Sequence, residues 1–145
     1  KNGALGAEAV VFLDPEVAVG SEYVRKQVTQ LPSKMRFIAA QFNALLHDDL
    51  WIRLGAHSNE MAHELFELAQ ALPDVRLDQA PDVNSVFPVL PRDAIEPLRA
   101  WCFFLYWDTT IDQVRWMTPW DTTIDDVKRF ANGVSALLAP VAKRL

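Results

Sequence analysis

Apolar residues along this chain recur at two spacings, one typical of helices and one typical of strands. The helical spacing is clearest from 34 to 72, where apolar side chains return about every 3.6 residues and predict one long helix or two in line. The segment His47-Asp48-Asp49 is the expected interruption of that helix. Further helices are predicted over 16–30, over 93–101 and from Asp121-Thr122-Thr123 to Pro140.

Short apolar runs between these helices predict strands. Residues 7–13, AEAVVFL, have the character of a buried strand that ends at Asp14-Pro15. The other predicted strands are 75–79, 85–90, and a hairpin of 103–107 and 113–118 joined by 108–112. After Pro73 the helical spacing of apolar residues gives way to short strand-like runs. This change predicts a first domain over 1–72 and a second over 73–145. This mixture of elements predicts an α+β fold.

One hexapeptide, WDTTID, occurs at 107–112 and again at 120–125. Strand-like residues precede the first copy, whereas helical residues follow the second. We therefore predict that the same six residues form a turn once and a helix cap once. The cap would pair Thr122 with Asp125 or Thr123 with Asp126, both at capping-box spacing.

Composition narrows the class of protein. The chain has 145 residues, 50% of them hydrophobic, which is enough to form a stable hydrophobic core without disulfide bonds or a structural metal ion. Its formal net charge of -5 argues against nucleic acid as a general partner. No apolar run reaches the roughly 18 residues of a membrane span, so we expect a soluble protein without membrane partners. The single cysteine, Cys102, favours a cytoplasmic location.

Most common catalytic and metal-binding motifs are missing from the sequence. The spacing of His47, His57 and His63 does not place three ligands on one helical face, and we predict no metal site. His57 and His63 are better interpreted as packed or solvated helix residues. The chain also lacks the glycine-rich and serine motifs of phosphate-binding, dinucleotide-binding and hydrolase sites.

Two basic residues are candidates for a binding or catalytic role. Arg115 lies within the apolar, aromatic run VRWMTPW, where a guanidinium needs an anion or acceptor. It either faces a cleft, where it would suit a carboxylate, or lies on an edge strand in solvent or paired with Asp112. Lys1 precedes Asn2-Gly3 and Gly6, small residues that let a planar ligand approach, and its amine can form a Schiff base with an aldehyde.

The strings KNGALGAEAVVFLDP, RKQ, SKMRFIAAQ and VRWMTPWDTT resemble the C-terminal part of the low-specificity L-threonine aldolase family, which are pyridoxal-phosphate enzymes of fold type I. The resemblance spans the whole chain. It implies that Lys1 is the Schiff-base lysine and that Arg115 binds the substrate carboxylate. It also implies that Arg36 lies near the active site or a neighbouring subunit and contributes to cofactor binding.

The same resemblance implies an architecture and an activity. Residues 1–72 would form the end of the cofactor-binding large domain and a connecting helix, and 73–145 a small domain with an antiparallel sheet. The enzyme would cleave a β-hydroxy-α-amino acid such as L-threonine to glycine and an aldehyde, as a homodimer or homotetramer. A C-terminal fragment alone would be inactive. The sequence departs from the family at 31–34, which replaces expected glycines, and at Pro119, where a histidine is common.

Two other interpretations remain open from the sequence. One is a different pyridoxal-phosphate lyase that eliminates a β-substituent, since it would share Lys1 and Arg115. The other is a non-catalytic α+β module whose long helix, 34–72, and five tryptophans serve packing or oligomerisation.

Overall fold

The computed structural model describes residues 2–139, which divide into two compact units between Ile52 and Arg53. The elements are α1 (Ser21–Gln27), α2 (Met35–Leu46), a 3₁₀ turn (His47–Asp49), α3 (Leu50–Gln70), β1 (Ser85–Val86), α4 (Arg92–Trp101), β2 (Leu105–Asp108), β3 (Gln113–Met117) and α5 (Ile124–Leu138). Helices and an antiparallel sheet confirm the predicted α+β class. No helix within residues 2–139 combines the length and the apolar character needed to cross a bilayer.

The first unit lacks the strand predicted over 7–13, and that prediction is wrong. The segment is irregular, and Val10, Val11 and Leu13 are 79%, 77% and 95% exposed. An apolar run becomes a strand only where a neighbouring strand takes its backbone hydrogen bonds, and among residues 2–139 no strand begins before Ser85. The helix predicted over 16–30 is also shorter, because α1 begins only after Gly20, whose φ of 79° is left-handed.

The long helical region breaks where predicted. α2 ends at Leu46, and Asp48 has φ 50° and ψ 36°, outside the right-handed helical region. Aspartate tolerates the left-handed conformation better than most residues, so the chain can interrupt its helix here at low cost. α3 then runs unbroken from Leu50 to Gln70.

The second unit contains a three-stranded antiparallel sheet in the order β1-β3-β2, with β3 in the centre. β2 and β3 form the predicted hairpin, with Leu105 opposite Arg115. The strands predicted over 75–79 and 85–90 shrink to an Arg76–Val89 bridge and the two residues of β1. Pro88 contributes to the shortening of the second strand because proline has no N–H to donate to a ladder.

The core of the second unit lies on one face of this sheet. Val114 and Trp116 of β3 are buried, whereas the alternate residue Arg115 belongs to the opposite face. The buried cluster combines these strand residues with side chains of α3, α4 and α5, among them Leu65, Phe66, Ile95, Leu98, Val127 and Val134. Burial of each large side chain contributes about 1.5–3 kcal/mol, which makes this cluster the main source of stability.

The two WDTTID copies adopt the two predicted structures. In the first copy, Asp108 Oδ1 accepts from the backbone N–H of Thr110 at 2.8 Å and closes a turn after β2. In the second copy, Thr123 Oγ1 accepts from Asp126 N at 3.2 Å and Asp126 Oδ2 accepts from Thr123 N at 3.0 Å, a capping box at the start of α5. The predicted helix end at Pro140 lies outside the described residues.

Candidate functional site

Arg115 lies in the middle of the central strand, so the prediction of an edge-strand arginine is wrong. The alternative partner, Asp112, instead accepts hydrogen bonds from Arg92 Nε at 3.0 and 3.2 Å. β3 positions Arg115 because pairing on both sides fixes its backbone, while the alternation of the strand directs it away from the core.

Three neighbours surround the half-buried guanidinium of Arg115. Its Nε donates to Ser85 Oγ at 3.1 Å, its Nη2 contacts Met117 Sδ at 3.3 Å, and its Cζ lies 5.9 Å from the ring centroid of Trp107. Within residues 2–139, no carboxylate forms an ion pair with it. This arrangement orients the guanidinium and leaves it without a carboxylate partner among residues 2–139.

A cleft of about 320 Å³ adjoins these residues. Ser85 and Trp107, which both contact Arg115, are among its lining residues. The remaining lining comes from the loop 78–83 and from the nearby side chains of Val86, Phe87 and Gln113. Phe87 and Trp107 pack against each other with their ring centroids 4.9 Å apart. The cleft is therefore partly aromatic, with Asp78 and Asp82 on its loop side; Arg115 is not itself a lining residue and touches the cleft only through Ser85 and Trp107.

Arg36 and the residues after Lys1 belong to the first unit. Arg36 is the second residue of α2 and its side chain is exposed. Lys1 itself lies outside the described residues. The turn that follows it has positive φ at Asn2 (48°) and Gly3 (85°).

The turn after Lys1 is tied to α2. The backbone N–H groups of Leu5 and Gly6 donate to Gln41 Oε1 at 2.8 and 3.3 Å. The glutamine amide group also donates to the carbonyl oxygen of Phe37 at 3.1 Å, which holds the side chain in place. Gln41 therefore fixes the described part of the lysine turn, a role that the sequence alone did not reveal.

The histidine interpretation is confirmed for His57, which has a structural contact. Its Nε2 lies 2.7 Å from the carbonyl oxygen of Thr122 and joins α3 to the turn before α5. Thr118 reinforces the same junction, since its buried hydroxyl donates to the carbonyl oxygen of Ser58 at 2.8 Å. His63 is exposed on α3.

Sequence reasoning missed the immediate partners of Arg115. Ser85 is 30 residues away along the chain, and only the β1–β3 register, with Ser85 opposite Met117, brings it close. Trp107 was visible only as part of the repeated hexapeptide. The sequence pattern predicts where strands lie but not which residues face each other across them. Neither contact of Arg115 could therefore be predicted from the sequence.

Comparison with known proteins gives relatives for most of the chain. No model of a known protein family matches it. It is 40% identical over 128 residues to a low-specificity L-threonine aldolase from Pseudomonas aeruginosa, covering 79% of this chain and 37% of that protein. A second low-specificity L-threonine aldolase, from another Pseudomonas, is 36% identical over 128 residues with the same coverage of both chains.

A solved structure agrees with these relatives. The fold matches a threonine aldolase from Leishmania major with a TM-score of 0.71 and 30% identity. That match covers 82% of this chain and 35% of the other. The chain therefore spans a little over a third of the proteins that it matches.

Proposed function

Because the chain is related in sequence and fold to low-specificity L-threonine aldolases, we propose that it supplies the lysine and the carboxylate-binding arginine of such an enzyme. The whole protein would be a pyridoxal-phosphate lyase that cleaves a β-hydroxy-α-amino acid such as L-threonine to glycine and an aldehyde. The observation that carries this proposal is Arg115, a half-buried cation on the central strand with no carboxylate partner within residues 2–139.

Arg115 binds and orients the amino acid. Ser85 takes the Nε hydrogen, so the terminal guanidinium nitrogens meet the two carboxylate oxygens of the substrate. Trp107 and Met117 cover part of the guanidinium and weaken its solvation, which strengthens a charged hydrogen bond relative to one in open water. A substrate held by its carboxylate presents its Cα–Cβ bond in a fixed direction.

The residues of the first unit fit pyridoxal phosphate in their chemistry. Lys1 would hold its aldehyde, and Arg36 offers a guanidinium to its phosphate from the first turn of α2. Gly6 is exposed and a Cβ added there would meet no atom within 4 Å, so no described residue blocks access to the turn at this point. When bound, the cofactor supplies an electron sink for the electron pair left by Cα–Cβ cleavage. The Nζ atom of Lys1 would then move a proton at the α-carbon.

Several properties of the whole protein follow from the same resemblance. A homodimer or homotetramer is proposed from the resemblance; α1 and α2 bury no residue in this chain, so their apolar side chains, such as Tyr23 and Phe37, are available to pack against other parts of the whole protein or another subunit. Support for a cytoplasmic location comes from the single cysteine. We assign 1–72 to the end of the large domain with its connecting helix and 73–145 to the small domain; from Arg53 onward that helix belongs to the same compact unit as the small domain.

Arg115→Lys in the whole protein tests the carboxylate role. Lysine keeps the charge but loses the planar fork, so we expect kcat/KM for L-threonine to fall about 10- to 100-fold, with most of the loss in KM. The matched control is Arg76→Lys, because Arg76 is an exposed arginine 3.8 Å from Asp78, and we expect it to retain activity. An unchanged KM in Arg115→Lys would remove the assignment.

A further inference from the structure

Met117 is in contact with the arginine that we assign to the substrate carboxylate. The two residues are two positions apart on β3, and they therefore lie on the same face of the sheet. The Sδ atom of Met117 lies 3.3 Å from Nη2 of Arg115. A thioether sulfur accepts hydrogen bonds only weakly. The contact therefore leaves Nη2 able to bind a stronger acceptor, such as a carboxylate oxygen.

Strand pairing holds the sulfur at this place. Met117 is opposite Ser85 in the β1–β3 register, and Ser85 Oγ accepts the hydrogen bond from Arg115 Nε at 3.1 Å. One nitrogen of the guanidinium is thus fixed by a buried hydroxyl, while the sulfur lies at another. Because pairing with β1 fixes the backbone of Met117, a chemical change at its sulfur takes place directly beside Nη2.

Exposure distinguishes Met117 from the other two methionines of the chain. Met117 is 56% exposed, whereas Met61 is 6% exposed and belongs to the core. Met35 is half-buried, and its Sδ lies 3.3 Å from Nη2 of Arg25. A binding site that admits an amino acid also admits hydrogen peroxide, which is a smaller molecule. Met117 is therefore the methionine of this chain that a peroxide reaches most readily.

We propose that Met117 is a reversible oxidation site that controls substrate binding by Arg115. The sulfur attacks one oxygen of hydrogen peroxide, the O–O bond breaks, and the products are methionine sulfoxide and water. Sulfur loses two electrons and the peroxide gains them. A methionine sulfoxide reductase reverses the step with two thiols, which become a disulfide while the oxygen leaves as water. The inference rests on the proposed function, because its effect is on the carboxylate-binding arginine.

Oxidation changes the competition for Nη2 of Arg115. The sulfoxide oxygen is a strong acceptor, and the rotatable bonds of methionine let it reach the guanidinium from a sulfur only 3.3 Å away. A nitrogen that donates to this oxygen is turned away from the substrate carboxylate. We expect KM for L-threonine to rise about 3- to 10-fold. We expect kcat to change less, because the lost interaction is made equally in the bound substrate and in the transition state.

Peroxide treatment of the whole protein, followed by peptide mass mapping and kinetics, tests the proposal. We expect the Met117 peptide to gain one oxygen and KM to rise over the same time course. Dithiothreitol alone reverses a sulfenic acid or disulfide at the exposed Cys102 but leaves a sulfoxide, so it should not restore KM. Addition of the two methionine sulfoxide reductases, one for each sulfoxide epimer, should restore it.

Three variants separate this site from other methionines, each compared with itself before peroxide. In Met117→Leu, peroxide should leave KM unchanged, whereas in the control Met35→Leu the rise should remain. Met117→Gln places an amide oxygen where the sulfoxide oxygen would lie. Without any peroxide, its KM should therefore be at least about threefold higher than that of Met117→Leu, which has a similar size and no acceptor.

Several results would overturn the proposal. These are a sulfoxide on Met117 with no change in KM, an equal rise of KM in Met117→Leu, and oxidation of Met35 that leaves Met117 intact. Failure of the proposed function is recognised separately, because that function requires Arg115→Lys to raise KM in protein that has not been oxidised. If Arg115→Lys raises KM and oxidation of Met117 does not, the arginine assignment stands and only the oxidation site is wrong.

Discussion

Replacing Gly133 by alanine should destabilise the protein, although glycine-to-alanine changes inside helices normally stabilise. Gly133 lies within α5, beneath the ring of Trp101. A Cβ built on it would be 2.1 Å from Cη2, 2.5 Å from Cζ2 and 2.7 Å from Cζ3 of that ring. These distances are far below van der Waals contact, so the ring has to leave its position.

The sign of the effect follows from two opposing contributions. Alanine gains about 0.8–1 kcal/mol of helix propensity over glycine. Trp101 is 47% exposed, so its ring can swing into solvent, but it then loses the stack on Phe130, about 0.5–1.5 kcal/mol. It also loses the burial of its covered half, about 1.5 kcal/mol. We therefore expect Gly133→Ala to lower the free energy of unfolding by about 1–2 kcal/mol.

Gly55→Ala is the matched control, because Gly55 lies within α3 and an added Cβ there meets no atom within 4 Å. It should raise the free energy of unfolding by up to about 1 kcal/mol. Urea titrations followed by far-ultraviolet circular dichroism compare both variants with the parent chain. If Gly133→Ala proves as stable as Gly55→Ala, the close packing of Trp101 on α5 is wrong.

Two further predictions concern α5 and its junction with α3. Thr123→Ala removes the capping box and should cost about 1 kcal/mol in urea titration, whereas Thr122→Ala, which removes no cap, should cost less than half of that. The hydrogen bonds from Thr123 lower the pKa of Asp126 below its usual 3.8, so this stabilisation is present above pH 3.8 and is lost as the pH falls through the lowered value. The acid sensitivity of α5, followed by circular dichroism, should therefore be smaller in Thr123→Ala, and an unchanged acid profile would contradict the role of the cap. Thr118→Val removes the second hydrogen bond to the carbonyl oxygen of Ser58, which keeps its helical donor within α3, and should cost about 0.5–1.5 kcal/mol in thermal or urea unfolding, whereas a neutral effect would contradict the hydrogen bond.

Local features of the fold were predictable from the sequence. The helix break at Asp48, the β2–β3 hairpin and the capping box of Thr123 all depend on residues within a few positions of each other. Such features can be predicted from the sequence, because side-chain spacing and hydrogen bonds between residues close in the chain determine them.

Features that depend on distant segments were not predictable. The apolar run at 7–13 has the composition of a strand, but the described part of the chain forms no strand there. Arg115 was identified as a candidate from its unusual apolar surroundings, yet its contact with Ser85 arises from strand register.

Borohydride reduction of the whole protein, followed by peptide mapping, tests the central claim most directly. The chain offers five lysines, and only one of them precedes the glycine-containing turn tied to Gln41. We expect an absorbance band near the visible edge to disappear on reduction and the pyridoxyl label to be found on the Lys1 peptide. Label on any other lysine, or no label at all, would contradict the assignment and leave a non-catalytic packing module as the better description.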